Sequence, residues 1–212
     1  MSTVQGQVVA SVPTVRASGN PNLLQMQLGE LGVTELLPRY TALAWSGKVF
    51  TAYSTARATT VVGTAMVGLQ LYNGSPITGS GSVNLVLLNV GGTITVTSAT
   101  QTGVLLASGT GQVSAPTSQT AIDRSANNLI GGPSPAALAT AAGTFTNAPT
   151  SFMILEHNTA AIAVTGEDNG YFWDLSGSIV VPTQSYVAFA ALGATGAASS
   201  NHHHIMWAEI PV

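Results

Sequence analysis

Cysteine is absent from the 212 residues, so no disulfide holds this chain together and no thiolate serves it as nucleophile or metal ligand. Charge is nearly absent too. Lys, Arg, Asp and Glu make up 6% of the residues, against roughly 25% in an ordinary soluble domain. From Ala58 to Ile122 there is none at all. With five basic and eight acidic side chains the formal net charge is −3, which leaves no basic footprint for nucleic acid and no polybasic patch for a membrane surface. Long apolar runs are missing as well. No window reaches the roughly 18 unbroken apolar residues of a spanning helix. The opening MSTVQGQVVASVPTV lacks the basic and continuous apolar regions of a secretory signal. At 6% aromatic residues, the girdles of a membrane β-barrel are poorly supplied.

What is there is hydrophobic, 45% by count, with 23 glycines and 10 prolines as punctuation. That is enough apolar material for one large domain. A chain with so few charges covers its surface either with Ser, Thr, Asn, Gln and Gly or against other chains. Monomers normally rely on charge for solubility, so an obligate oligomer, a homotrimer, is expected.

Helix signals are confined to two places. In NPNLLQMQLGELG, Asn20 suits a cap and Pro21 a first position, and Leu24, Leu28 and Leu31 fall on one face. VTELLPRY adds a turn, with Thr34 as cap and Pro38 as terminator. In GGPSPAALATAAG, Ser134, Pro135 and Gly143 supply cap, first position and stop for a short helical insertion. Before Asn20 the chain has no period, although Val4, Val8, Val9, Val12 and Val15 make it apolar. It reads either as a frayed terminus or as an extended arm that crosses onto a neighbour.

From Lys48 onward the pattern is that of strands: KVFTAY, TTVVGTAMVGLQLYN, SVNLVLLNVGGTITVTS, TGVLLAS, SFMILEH, AIAVTG, GSIVVP, SYVAFAAL and HHHIMWAEI. They are short, rich in Val, Ile, Thr and aromatics, and separated by turns such as NGSP and VPTQS. In SYVAFAAL, Val187, Phe189 and Ala191 face one way and Tyr186, Ala188 and Ala190 the other. Eight or so strands without βαβ spacing predict an all-β antiparallel, jelly-roll-like sandwich. It would carry an extended N-terminal arm and short helical insertions. The predicted division is an arm with a short helix over 1–43 and the β domain over 44–212.

Chemistry is harder to find. No nucleophile elbow, P-loop, HExxH or CxxC occurs, and GTGQVS is not a dinucleotide fingerprint. Glu156, Asp168, Asp174 and Glu209 are the carboxylates a glycoside hydrolase would draw on, and nothing in the spacing selects a pair. No enzyme activity and no cofactor is expected. SNHHHIMWAEIPV invites three readings: a tag, a metal site or an ordinary strand. The alternation that continues through IMWAEIPV favours the strand, with His202 and His204 on one face and His203 on the other with Ile205 and Trp207. Two imidazoles are too few for a closed metal site, whereas a ring of His202 and His204 on a trimer axis would supply enough. In TGEDNGYFWDL, Asn169-Gly170 suits a hairpin turn leading Tyr171, Phe172 and Trp173 into a strand. Calcium would ask for roughly six to eight oxygens there. Exposed, those three aromatics would bind a partner or a sugar. Asn73-Gly74-Ser75 is a formal glycosylation sequon, read as a turn.

Three stretches carry a resemblance: LLPRYTALAWSGKVFTA, then DLSGSIVVPTQSYVAFAAL, then HHHIMWAEIPV. A hydrophobic strand, a Pro-containing tight turn, a strand of small alternating residues and a final W-x-E-I-P-V strand are its marks. Together they resemble virion structural proteins of tailed bacteriophages, in which a short arm precedes a trimer-forming, jelly-roll-like β domain. The likeness spans Leu36 to Val212 with gaps, and its motifs are structural, so no functional residue carries over. It implies a particle component on the capsid surface, a decoration (cement) protein whose partners are its own copies and the major capsid or other virion proteins. A tail-fibre or spike tip that binds a receptor is the alternative, and a carbohydrate-binding or carbohydrate-cleaving β-sandwich is the alternative from another class.

Overall fold

The structure is a computed structural model that describes residues 27–28, 34–35, 39–55, 59–96, 103–121, 124–157, 168–192 and 199–212. The chain divides into two compact units, Met1–Pro38 and Arg39–Val212. In the first, β1 (Gln27–Leu28) pairs antiparallel with β2 (Thr34–Glu35), Leu28 opposite Thr34. The predicted helix through Leu24, Leu28 and Leu31 is therefore not formed at Leu28, and Thr34 opens a strand where a helix cap was expected. Gly29 and Gly32 explain the failure, since each costs a helix about 1 kcal/mol relative to Ala. The five arm valines lie outside the described residues.

The second unit opens with α1 (Arg39–Trp45). Pro38 precedes this helix instead of ending one, in keeping with the tolerance of proline at a helix start. Gly47, at φ 66°, closes it. Its N–H bonds the Ala44 carbonyl at 3.0 Å and the Lys48 N–H reaches back to Leu43 at 2.9 Å, the two bonds of a Schellman cap.

Eight strands then build the sandwich: β3 (Val49–Tyr53), β4 (Ala65–Asn73), β5 (Val83–Val96), β6 (Val104–Gly109), β10 (Thr150–Glu156), β11 (Asp168–Val181), β12 (Ser185–Ala191) and β13 (Ser199–Pro211). One sheet runs β11-β5-β13-β3 and the other β10-β6-β12-β4. Counted along the chain, these are sixth, third, eighth, first and fifth, fourth, seventh, second. That is the order of a jelly roll. Three further strands, inserted between β6 and β10, lengthen the far edges: β8 (Arg124–Asn127) joins β3, while β9 (Leu138–Thr144) and then β7 (Thr117–Ala121) continue from β4.

β9 replaces the helix predicted after Ser134. Its sequence LATAAGT has helix propensity, but it is zipped between β4 and β7, with Ala142 opposite Val67 and Thr120. Tertiary pairing outweighs a preference worth tenths of a kcal/mol per residue. β11 likewise begins before the predicted hairpin turn. Asn169 and Gly170 already pair with Ile94 and Thr93 of β5. The left-handed residues come later, at Ser176 (φ 46°) and Gly177 (φ 79°), where the ladder slips between Asp174 and Ile179.

Between the sheets Phe50, Leu69, Leu71, Leu85, Leu87, Ile94, Leu106, Val187, Phe189, Ile205 and Trp207 form the main core. β12 is buried on both faces: Val187 and Phe189 point into that core, while Tyr186, Ala188 and Ala190 join Met66, Leu105 and Phe145 outside the six-stranded sheet. α1 covers one end of the outer face of the five-stranded sheet, its Tyr40, Leu43 and Ala44 lying on Val86, Leu88, Met206, Ala208 and Ile210. The other end of that face carries the histidines.

Candidate functional site

β13 takes in all three histidines and alternates as a strand must: Asn201, His203, Ile205 and Trp207 are buried, His202 is exposed and His204 half-buried. His203 is an interior group. Its ring stacks on Phe189 of the opposite sheet (centroids 4.6 Å apart, 16° between planes). Nδ1 lies 2.6 Å from the Tyr171 hydroxyl and Nε2 lies 2.9 Å from Thr59 Oγ1. A neutral imidazole has one N–H and one lone pair, so both contacts are satisfied without charge. Burial, assisted by the neighbouring His202 and His204, pushes its pKa down to about 3. Burial, then the Glu156 carboxylate, holds the Tyr171 phenol well above its usual range. The node ties β13, β11 and β12 to the β3–β4 connection, and its side chains are buried.

His202 and His204 belong to a different place. On the outer face one cross-strand row runs Tyr53, His204, Gly91, Phe172 across β3, β13, β5 and β11. Gly91 is the reason the row fits. A Cβ there would come within 2.4 Å of His204 Cε1 and 2.8 Å of the Tyr171 carbonyl. The His204 ring, stacked at 6.0 Å and 27° on Phe172, occupies that space. His202 stands one row along, opposite Thr93. With Tyr53, Ser54, Gly92, Thr93 and Phe172, and with Tyr171 and His203 at its floor, the pair lines an open depression of about 380 Å³. Burial lowers the His204 pKa. No third His, Cys, Asp or Glu joins the two among the described residues.

Of the three aromatics singled out together, Tyr171 is buried, whereas Phe172 is 64% and Trp173 43% exposed. Trp173 is anchored by its indole N–H, which donates to the Leu155 carbonyl at 2.7 Å and so joins β11 to β10. The two strands form one lateral edge of the sandwich. On the β10 side Phe152 (45% exposed) and Ile154 (55%) stand beside Val61, Val62, Met153 and Leu192 around an open apolar groove of about 510 Å³. No charged side chain lines it. Sequence reading missed this surface; SFMILEH was legible as a strand, but only the topology makes it an edge.

Among the described residues the carboxylates do not gather into a cluster. Glu209 is buried and its Oε1 accepts from the backbone N–H of Ala136 (2.8 Å) and Ala137 (3.0 Å), with the Trp207 indole N–H at 3.4 Å. It fixes the start of β9. Asp174 accepts from the Ser176 N–H and hydroxyl at the β11 slip. Glu156 ends β10 and Asp168 opens β11, opposite Thr95. Asn73 is wholly buried: its Nδ2 donates to the Val83 and Val181 carbonyls at 2.8 and 3.0 Å and its Oδ1 accepts from Ser75. It pins two turns together, and no glycan fits on it.

No model of a known protein family and no curated protein matches the chain. No helix among the described residues is long and apolar enough to cross a membrane.

Proposed function

We propose that this is a non-enzymatic virion structural protein, a capsid decoration protein that associates with its own copies and with the major capsid protein. The observation that carries the reading is the lateral edge: Phe152, Ile154, Val61 and Leu192 exposed around an uncharged groove on a jelly roll whose sequence is 6% charged. Surface of this kind marks association sites in proteins that otherwise keep apolar groups covered. The buried polar groups, His203, Glu209 and Asn73, are spent on holding strands and turns together, which suits a clamp that opposes pressure without a reaction. Quantifying the chain in purified phage particles tests this. A decoration protein is present in numbers comparable with the major capsid protein. A handful of copies would point to a fibre tip, and absence from particles overturns the proposal.

One observation favours the second reading, a receptor- or saccharide-binding protein. Phe172 and Tyr53 are both exposed, at 64% and 40%, beside His202, and a flat aromatic face with a polar neighbour is how sugars are gripped. Screening the protein against glycans, with Phe172→Ala as control, separates the two.

A further inference from the structure

We propose that His202 and His204 form a bidentate binding site for a divalent transition-metal ion, of the class Cu²⁺, Ni²⁺ or Zn²⁺, on the outer face of the five-stranded sheet. Residues i and i+2 of a strand share a face, and here the burial pattern of β13 puts both rings on the outside, with His203 between them turned into the core. Such neighbours sit one strand repeat apart, roughly 7 Å. Two imidazoles leaning towards each other can close that span around one ion, with nitrogens about 2 Å from the metal.

Three features of this chain make the pair available. Among the described residues neither ring has a hydrogen-bond partner, in contrast to His203, whose two nitrogens are both engaged. Gly91, on the adjacent strand, gives the His204 ring the space it lies in, and the depression that His204 shares with His202 is open. Among the described residues that line the depression there is no Lys or Arg. Among the described residues no third His, Cys, Asp or Glu joins them, so these two imidazoles are the proposed ligands and water fills the remaining positions. Two imidazoles by themselves do not make the closed tetrahedral set of a structural zinc. Imidazole donors set the order of affinity, with Cu²⁺ bound most tightly.

The test is a titration of the untagged full-length chain with CuCl₂, NiCl₂ and ZnCl₂ by calorimetry, with the Cu²⁺ form read by electron paramagnetic resonance. The expected result is one ion per chain, two coupled nitrogens in the copper spectrum, and Cu²⁺ tighter than Ni²⁺ or Zn²⁺. His202→Gln, at an exposed position, and His204→Gln each weaken Cu²⁺ binding by roughly tenfold or more, the double variant abolishes it, and His157→Gln changes nothing. Because His202→Gln leaves the packing of the sheet untouched, its result stands even if His204→Gln disturbs the Phe172 contact. Failure of all three metals to bind, or binding at unchanged affinity in the double variant, overturns the proposal.

Discussion

His203 shows how a single buried side chain sets a condition on the whole fold. In the unfolded chain the imidazole takes up its proton near pH 6.5, and in the fold only at about 3. Between those values the unfolded state binds more protons, so stability rises with pH across the window. It is fully present above pH 6.5 and is lost as pH falls towards 3, by at most about 1.4 kcal/mol per pH unit. Urea unfolding at pH 7 and pH 4.5 checks this. The wild type should lose stability between them, and His203→Gln, which keeps a donor and an acceptor but cannot titrate, should lose less. Equal losses in both proteins would assign the acid sensitivity elsewhere. Glu209 presents the matching case at the other end of β13. Replacing it by Ala leaves the Ala136 and Ala137 N–H groups without their acceptor, at a cost of about 1–3 kcal/mol, visible as a lowered thermal midpoint. Neither role was legible from the residues alone. The position of His203 on a face with Ile205 and Trp207 did imply burial, but its partners Thr59 and Tyr171 lie 144 and 32 residues away.

At the scale of elements, strands whose own pattern decides their environment could be read, and those decided by a neighbour could not. β12 and β13 alternate cleanly, and the structure places their two faces as the alternation requires. β9 and the first half of β11 gave way to pairing: an Ala-rich stretch became a strand, and an Asn-Gly step was drawn into the ladder with β5. β7 and β8 carry no apolar run and left no trace in the pattern. β4 holds an irregularity of the same kind. Its register with β9 slips between Val67 and Gln70, and Gly68 sits there at φ 141°. A Cβ at Gly68 would lie 2.6 Å from the Phe189 carbonyl of β12, which is backbone and cannot yield. Gly68→Ala is therefore expected to cost more than the roughly 1–3 kcal/mol of a strained backbone alone. A urea midpoint within error of the wild type would show that β4 can re-register without the bulge.

For the whole molecule the open question is what covers the β10 edge. Natural edge strands discourage pairing with lysine, proline or inward charge; TSFMILE has only Glu156, at its end. Its next neighbour on one side is β6, and no strand lies on the other among the described residues. Exposed Phe152 and Ile154 thus sit on a strand with no second strand neighbour among the described residues, a combination that is stable in an assembly and a liability in a lone chain. Under the proposed reading the protein is an oligomer in solution, a trimer by light scattering at micromolar concentration, and this edge contributes to its contacts. Ile154→Lys places an ammonium in the apolar groove. Because the position is 55% exposed, the change should alter the stability of the folded unit by no more than about 0.5 kcal/mol. The scattering mass should fall towards that of one chain, 21.4 kDa, with the far-ultraviolet circular dichroism unchanged. Ile130→Lys is the control, since Ile130 is 98% exposed on a turn away from the groove; it should leave the oligomer intact. An Ile154→Lys protein of unaltered mass would move the interface to another face, and a monomeric wild type would remove self-association from the proposal altogether.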